Sequence, residues 1–117
     1  MDRLTLWHNP RCSKSRAALA ALEARGAVPQ VRRYIDDPPD TAEIARVLAL
    51  LALPAHALIR RCEPEYAALG LSEAAPEAAL VAAMAAHPRL IERPVAIGAG
   101  RAVIGRPPER VLELLEG

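Results

Sequence analysis

The chain has 117 residues, 52% of them hydrophobic but only 3% aromatic, with no Phe and a formal net charge of +1. That length suits one domain spanning 1–117 with a real core of Leu, Val, Ile and Ala, and the composition excludes a disordered chain. No basic field with interleaved aromatics points to nucleic acid, no run nears the ~20 apolar residues of a membrane span, and the short apolar start lacks a signal-peptide core, so the expected location is cytoplasmic.

Leu4-Thr5-Leu6-Trp7 reads as a short buried strand. A polar loop follows, and Ser13 to Arg25 reads as a helix with apolar positions Ala17, Leu19, Ala20 and Leu22, stopped by Gly26. Val28 to Ile35 reads as a second strand, which predicts a parallel strand–helix–strand unit with a right-handed crossover. Asp36-Asp37-Pro38-Pro39-Asp40 is a turn, with Asp40 as N-cap and Glu43 completing a capping box for a helix to about Leu51 or Leu53. Pro54 opens a short segment to Arg60. Glu63 to Leu69 predicts a short helix ended by Gly70, and Ser72 to Ala86 an Ala-rich one with Pro76 near its start. Strands at Arg93–Ile97 and Arg101–Ile104 flank a tight turn at Gly98–Gly100, and Pro107 starts a last helix through Val111, Leu112 and Leu115. The order is β-α-β, a helical block, then β-β-α. It predicts an α/β, thioredoxin-like fold with a mixed four-stranded sheet and helices inserted in the middle.

The segment His8-Asn9-Pro10-Arg11-Cys12-Ser13-Lys14-Ser15-Arg16 carries the chemistry. It places a cysteine where a strand ends, a loop turns and a helix begins. A helix N-terminus offers unpaired N–H groups and a partial positive charge, and Arg11, Lys14 and Arg16 add full ones. Both favour the thiolate, which is the nucleophile, and the same N–H groups suit an oxyanion. Polar neighbours argue against the alternative of a buried, inert Cys12. Ser15 stands where a dithiol enzyme has its second cysteine, so any redox cycle at Cys12 needs a thiol from elsewhere. Ser15 either donates to the Cys12 sulfur or bonds backbone in the first helical turn. His8 either supports the thiolate or organises the loop through a carbonyl. Asn9-Pro10 is a turn signal.

The other cysteine is Cys62. A structural disulfide is not expected in a reducing compartment, and two cysteines with His8, His56 and His87 do not make a zinc-finger pattern. No metal is therefore expected. Three arginines occupy restricted backbone settings: Arg60 after Ala57-Leu58-Ile59, Arg93 before Pro94, and Arg106 between Gly105 and Pro107-Pro108. Arginine suits oxyanions because its planar fork donates two parallel hydrogen bonds.

The His8–Arg16 motif, Ala57-Leu58-Ile59-Arg60, Glu92-Arg93-Pro94-Val95 and Gly105-Arg106-Pro107-Pro108 resemble the arsenate reductase family that uses glutathione and glutaredoxin. Tyr34-Ile35-Asp36-Asp37-Pro38-Pro39 and Tyr66-Ala67-Ala68-Leu69-Gly70-Leu71 match it too, so the resemblance runs over essentially the whole chain. It implies a thioredoxin-like fold, a cis bond at Arg93-Pro94, and attack of Cys12 on arsenate held by Arg60, Arg93 and Arg106. The candidate catalytic residues are Cys12, Arg60, Arg93 and Arg106. The candidate substrate-binding residues are His8 and Ser15 with the same three arginines. The implied partners are arsenate, glutathione as cosubstrate and glutaredoxin, with no cofactor, no nucleic acid, no membrane, and a monomeric chain. Cys62 is either a spectator or a thiol that resolves the Cys12 adduct.

Two other classes compete. Spx-type regulators share this fold and bind RNA polymerase, but they typically carry a Cys-x-x-Cys switch, where this chain has Ser15. The remaining option is a thiol oxidoreductase acting on another oxyanion.

Overall fold

The computed structural model describes residues 4–115. The chain forms two compact units. One is built from the described residues up to Asp37 together with those from Arg93 onward, and the other is Pro38–Glu92.

The first unit holds the sheet. Strand β1 (Thr5–Trp7) pairs in parallel with β2 (Gln30–Arg32) and antiparallel with β3 (Val95–Ile97), which pairs antiparallel with β4 (Ala102–Ile104). The order β2-β1-β3-β4 is the mixed four-stranded sheet expected from the sequence. Leu6 lies opposite Val31 on one side and Ala96 on the other. Helix α1 (Ser13–Ala24) crosses from β1 to β2 and ends where Gly26 takes φ +81°. That left-handed conformation suits a residue without a Cβ.

The face that α1 buries is Ser15, Ala18 and Leu22. Ala17 and Ala20, expected to be apolar contacts, are exposed instead. An alanine-rich helix carries almost no contrast between faces, and the stripe is set by Leu22 and its three- and four-residue neighbours. Leu6, Ala18, Leu22, Ala96, Val103 and Val111 form the core, with Leu4, Leu19, Leu112 and Leu114 packed on it. The final helix is a 3-10 helix over Pro108–Leu115 rather than an α-helix, and its Val111 is fully buried. Strand β2 is much shorter than the Val28–Ile35 run. Pro29 has no N–H to give a ladder, and Arg33 already turns: its carbonyl accepts from the N–H groups of Asp36 and Asp37.

In the second unit, α2 (Thr41–Leu51) starts with the expected capping box. Asp40 Oδ1 accepts from Glu43 N–H at 2.8 Å, and Glu43 Oε1 accepts from Asp40 N–H at 3.2 Å. It ends at Ala52, whose φ of 57° is left-handed. Helices α3 (Ala55–Leu58), α4 (Pro64–Ala68) and α5 (Glu77–Ala86) follow. Helix α5 begins after Pro76, so Ser72–Ala75 lies outside it. Both α2 and α3 pack on α5, burying Ile44, Val47, Leu58, Leu80 and Met84. A 3-10 turn over Pro88–Leu90 leads to Ile91, which bridges Ile59.

Scarce aromatics do not mean an aromatic-free core. The chain has one Trp and two Tyr, and both Trp7 and Tyr34 are buried. Among the described residues, no helix is long and apolar enough to cross a membrane.

Candidate active site

Cys12 is the N-cap of α1, with extended backbone at φ −95° and ψ 122°. Its carbonyl accepts from Arg16 N–H and its own N–H donates to Asn9 O. The thiol makes no capping bond, and the residue is partly exposed. The N–H groups of the first helical turn therefore lack intrahelical acceptors beside a reachable sulfur.

The loop before Cys12 is tied down at every step. Asn9 Oδ1 accepts from Arg11 N–H at 3.0 Å, Asn9 N–H donates to Ser15 Oγ at 3.0 Å, and the Arg16 guanidinium donates to Pro10 O at 2.8 Å. Ser15 is fully buried, and its hydroxyl sits 2.6 Å from Nδ1 of the buried His8. The backbone-bonding reading of Ser15 is therefore met, and the ring of His8 organises the loop through the Ser15 hydroxyl rather than through a carbonyl. The pair bond each other across the loop, and Ser15 also bonds the backbone of Asn9. Which of the two donates depends on the histidine tautomer. Burial first, then the charges of Arg33 and Arg16, hold the His8 pKa below its ordinary value, so the ring is favoured in its neutral form.

Arg93 and Arg106 meet in the first unit. Both precede cis prolines, Arg93-Pro94 and Arg106-Pro107. The first was expected from the resemblance and the second was not. Arg106 Nε donates to the Arg93 carbonyl at 3.0 Å, and Gly105 N–H donates to Pro94 O at 2.8 Å. Gly105 permits this approach. A Cβ there would lie 2.7 Å from Pro94 Cγ and 3.1 Å from Val111 Cγ1.

Arg60 lies in the second unit, with its own partners. Its Nη1 is 3.0 Å from Glu63 Oε1, its Nε is 3.5 Å from Glu92 Oε1, and its Nη2 donates toward Cys62 Sγ at 3.8 Å. Its backbone N–H donates to Leu90 O. Cys62 is exposed. The sequence reading gave no site role to Glu63, Glu92, Gly105 or Arg33, although Glu92 and Gly105 stand in the motifs that carry the resemblance. Gly105 between a strand and Arg-Pro-Pro was the one legible signal, because glycine at such a point often marks close backbone approach. No group of three His, Cys, Asp or Glu among the described residues could hold a metal.

A cysteine at the N-cap of the helix after β1, with a mixed sheet whose β3 is entered through a cis proline, defines a thioredoxin-like protein of the α/β class. The sequence model of the ArsC family matches residues 7–114. An arsenate reductase of Neisseria meningitidis is 42% identical, covering 98% of this chain and all of its own length. The Escherichia coli protein YfgD is also 42% identical, over 97% of each chain. A solved arsenate reductase from Vibrio cholerae superposes with a TM-score of 0.92 at 44% identity, over 97% of this chain and 98% of its own. The chain belongs to the ArsC family, the arsenate reductase family that the motifs suggested.

Proposed function

We propose that the chain reduces arsenate with glutathione and glutaredoxin as electron donors. The observation that carries this reading is Cys12, partly exposed, at the open N-terminus of α1 with no second cysteine in its turn. The relatives named arsenate reductases support it.

In the proposed cycle the Cys12 thiolate attacks As(V), and an oxygen leaves as water or hydroxide, giving a Cys12–S–As(V) adduct. The glutathione sulfur attacks the Cys12 sulfur, the S–As bond breaks with its electron pair left on arsenic, and As(III) leaves. The glutaredoxin thiol then attacks the Cys12–glutathione disulfide, taking the glutathionyl group and freeing the Cys12 thiolate. Two thiols end as one disulfide, which supplies the two electrons that take As(V) to As(III). Ser15 in place of a local resolving cysteine is the feature that favours a second thiol from outside the turn, here assigned to glutathione. Arg93 and Arg106 oppose the charge of the bound oxyanion, the kind of term that usually dominates such catalysis. Arg60 is proposed as a third anion-binding guanidinium, on the resemblance. His8 and Ser15 are proposed to serve the substrate by fixing the loop that presents Cys12. No metal or cofactor enters this cycle, and the chain is proposed to act in the cytoplasm as a monomer.

The test is arsenate-dependent NADPH oxidation coupled through glutathione reductase, with and without glutaredoxin. Activity should need glutathione and glutaredoxin and vanish in Cys12→Ser. Undiminished activity in Cys12→Ser would refute the assignment. Turnover with thioredoxin in place of glutaredoxin would move the chain to a different reductant.

A further inference from the structure

Five arginines elsewhere in the molecule are paired with carboxylates: Arg32 with Asp37, Arg60 with Glu63 and Glu92, Arg61 with Glu73, and both Arg101 and Arg110 with Glu113. The cations around Cys12 are not. Arg11, Lys14 and Arg16 stand exposed on the loop and the first turn of α1, and the segment His8–Arg16 contains no acidic residue. Arg33 is exposed at the end of β2, one residue past Arg32, whose carbonyl accepts from His8 N–H at 2.8 Å. That bond sets Arg33 beside the start of the Cys12 loop. Arg16 is held there by its bond to Pro10 O. Arg16 and Arg33 both act on the His8 ring through space, in keeping with that placement. None of the four makes an ion pair among the described residues, and Asp36, whose N–H donates to the Arg33 carbonyl, does not pair with its side chain.

We propose that Arg11, Lys14, Arg16 and Arg33 form an exposed basic collar that draws small thiols bearing carboxylates to Cys12. The inference deepens the proposed function, since it rests on Cys12 being served by an outside thiol. An unpaired cluster of like charge costs self-repulsion, and a mixed surface avoids it. Around a nucleophile the same field raises the local concentration of an anionic partner and so speeds encounter. Arg33 would add a charge from a second element, which the loop alone does not supply.

The test compares two disulfide probes on the Cys62→Ser protein: dithionitrobenzoate, which carries carboxylates, and dithiodipyridine, which is neutral. In each case the Cys12 thiolate attacks one sulfur, a Cys12–S–S–aryl bond forms, and the other aryl thiolate leaves and is read by absorbance. Both probes need the same thiolate, so the ratio of their rates isolates the field met by the incoming anion. The ratio should fall several-fold between about 20 mM and about 500 mM salt, as screening shortens the reach of the collar. Arg11→Gln/Lys14→Gln/Arg33→Gln should lower the low-salt ratio by about tenfold, the lower end of steering effects. Arg25→Gln is the control. It removes one positive charge at the far end of α1, a 12-residue helix about 18 Å long, well beyond a Debye length of about 10 Å.

A ratio in the triple variant within twofold of the parent overturns the collar, as does an Arg25→Gln effect of equal size or a ratio indifferent to salt. A loss confined to a protein thiol, with the charged probe unaffected, also overturns it and points to protein docking. If the ratio behaves as expected but no arsenate is reduced, the collar stands and the oxyanion reading fails.

Discussion

Ser15→Ala is the substitution whose cost the structure sets most directly. The hydroxyl is fully buried and meets two polar groups, His8 Nδ1 at 2.6 Å and Asn9 N–H at 3.0 Å. Alanine keeps the helix and the volume nearly unchanged but leaves both groups without that partner. His8 is 5% exposed, so water does not readily replace the lost bond, and an unsatisfied buried group costs about 1–3 kcal/mol. Asn9 is half-buried and adds a fraction of that. The expected loss is about 2–3 kcal/mol, a large part of the roughly 5–15 kcal/mol that holds a domain together. Urea unfolding at about pH 7.5 reads it through Trp7, the chain's single tryptophan, which is 2% exposed on the strand that leads into His8. With a slope near 1.5 kcal/mol/M, roughly that of a domain this size, the midpoint should drop by about 1.3–2 M. Ser13→Ala, at an exposed position in the same turn, should cost under about 0.5 kcal/mol. A Ser15→Ala loss no larger than that of Ser13→Ala would refute the buried pair.

Three further outcomes follow from local geometry. Because the His8 pKa is lowered in the fold, the unfolded chain binds its proton at higher pH than the native state does. Stability from neutral His8 is thus present above its unfolded value of 6.5 and is lost as pH falls through it. The urea midpoint should decline below about pH 6.5, and His8→Gln should flatten that decline; identical profiles would contradict the assignment. Gly105→Ala should cost about 1–3 kcal/mol in a thermal melt, because its Cβ would crowd Pro94 and Val111. An unchanged melting temperature would show that the turn relaxes freely. Ala52→Gly should raise stability by about 0.5–1 kcal/mol, since φ at position 52 is left-handed and alanine resists that region by about 1–2 kcal/mol; a loss would contradict this.

The elements carrying strong local signals were legible in the sequence. Asp40 and Glu43 three residues apart fixed the start of α2, Gly26 fixed the end of α1, and Gly98–Gly100 the hairpin. The parallel pairing of β1 and β2 followed from a helix between two apolar runs. Illegible features depended on contacts distant in sequence. The buried stripe of α1 is decided by what the sheet presents to it, and alanines at 17, 18 and 20 look alike until then. Within the site, Cys12, Arg93 and Arg106 stood out by their neighbours in sequence. The His8–Ser15 bond, the Arg106 bond to the Arg93 carbonyl and the Glu63 and Glu92 partners of Arg60 did not. A hydrogen bond across a loop, or between residues 13 apart, leaves no periodic trace. Arg33 looked like one more surface charge until β2 ended beside His8.

The central claim is that Cys12, Arg93 and Arg106 form one oxyanion site. The most direct measurement is the rate at which iodoacetamide alkylates Cys12, followed by peptide mass across an arsenate titration. The account predicts saturable protection of Cys12 in the parent protein, with the arsenate needed rising at least about tenfold in Arg106→Gln, the size expected when a charged hydrogen bond to the anion is lost. Alkylation of Cys12 that is indifferent to arsenate, or protection that survives Arg106→Gln unchanged, would contradict it.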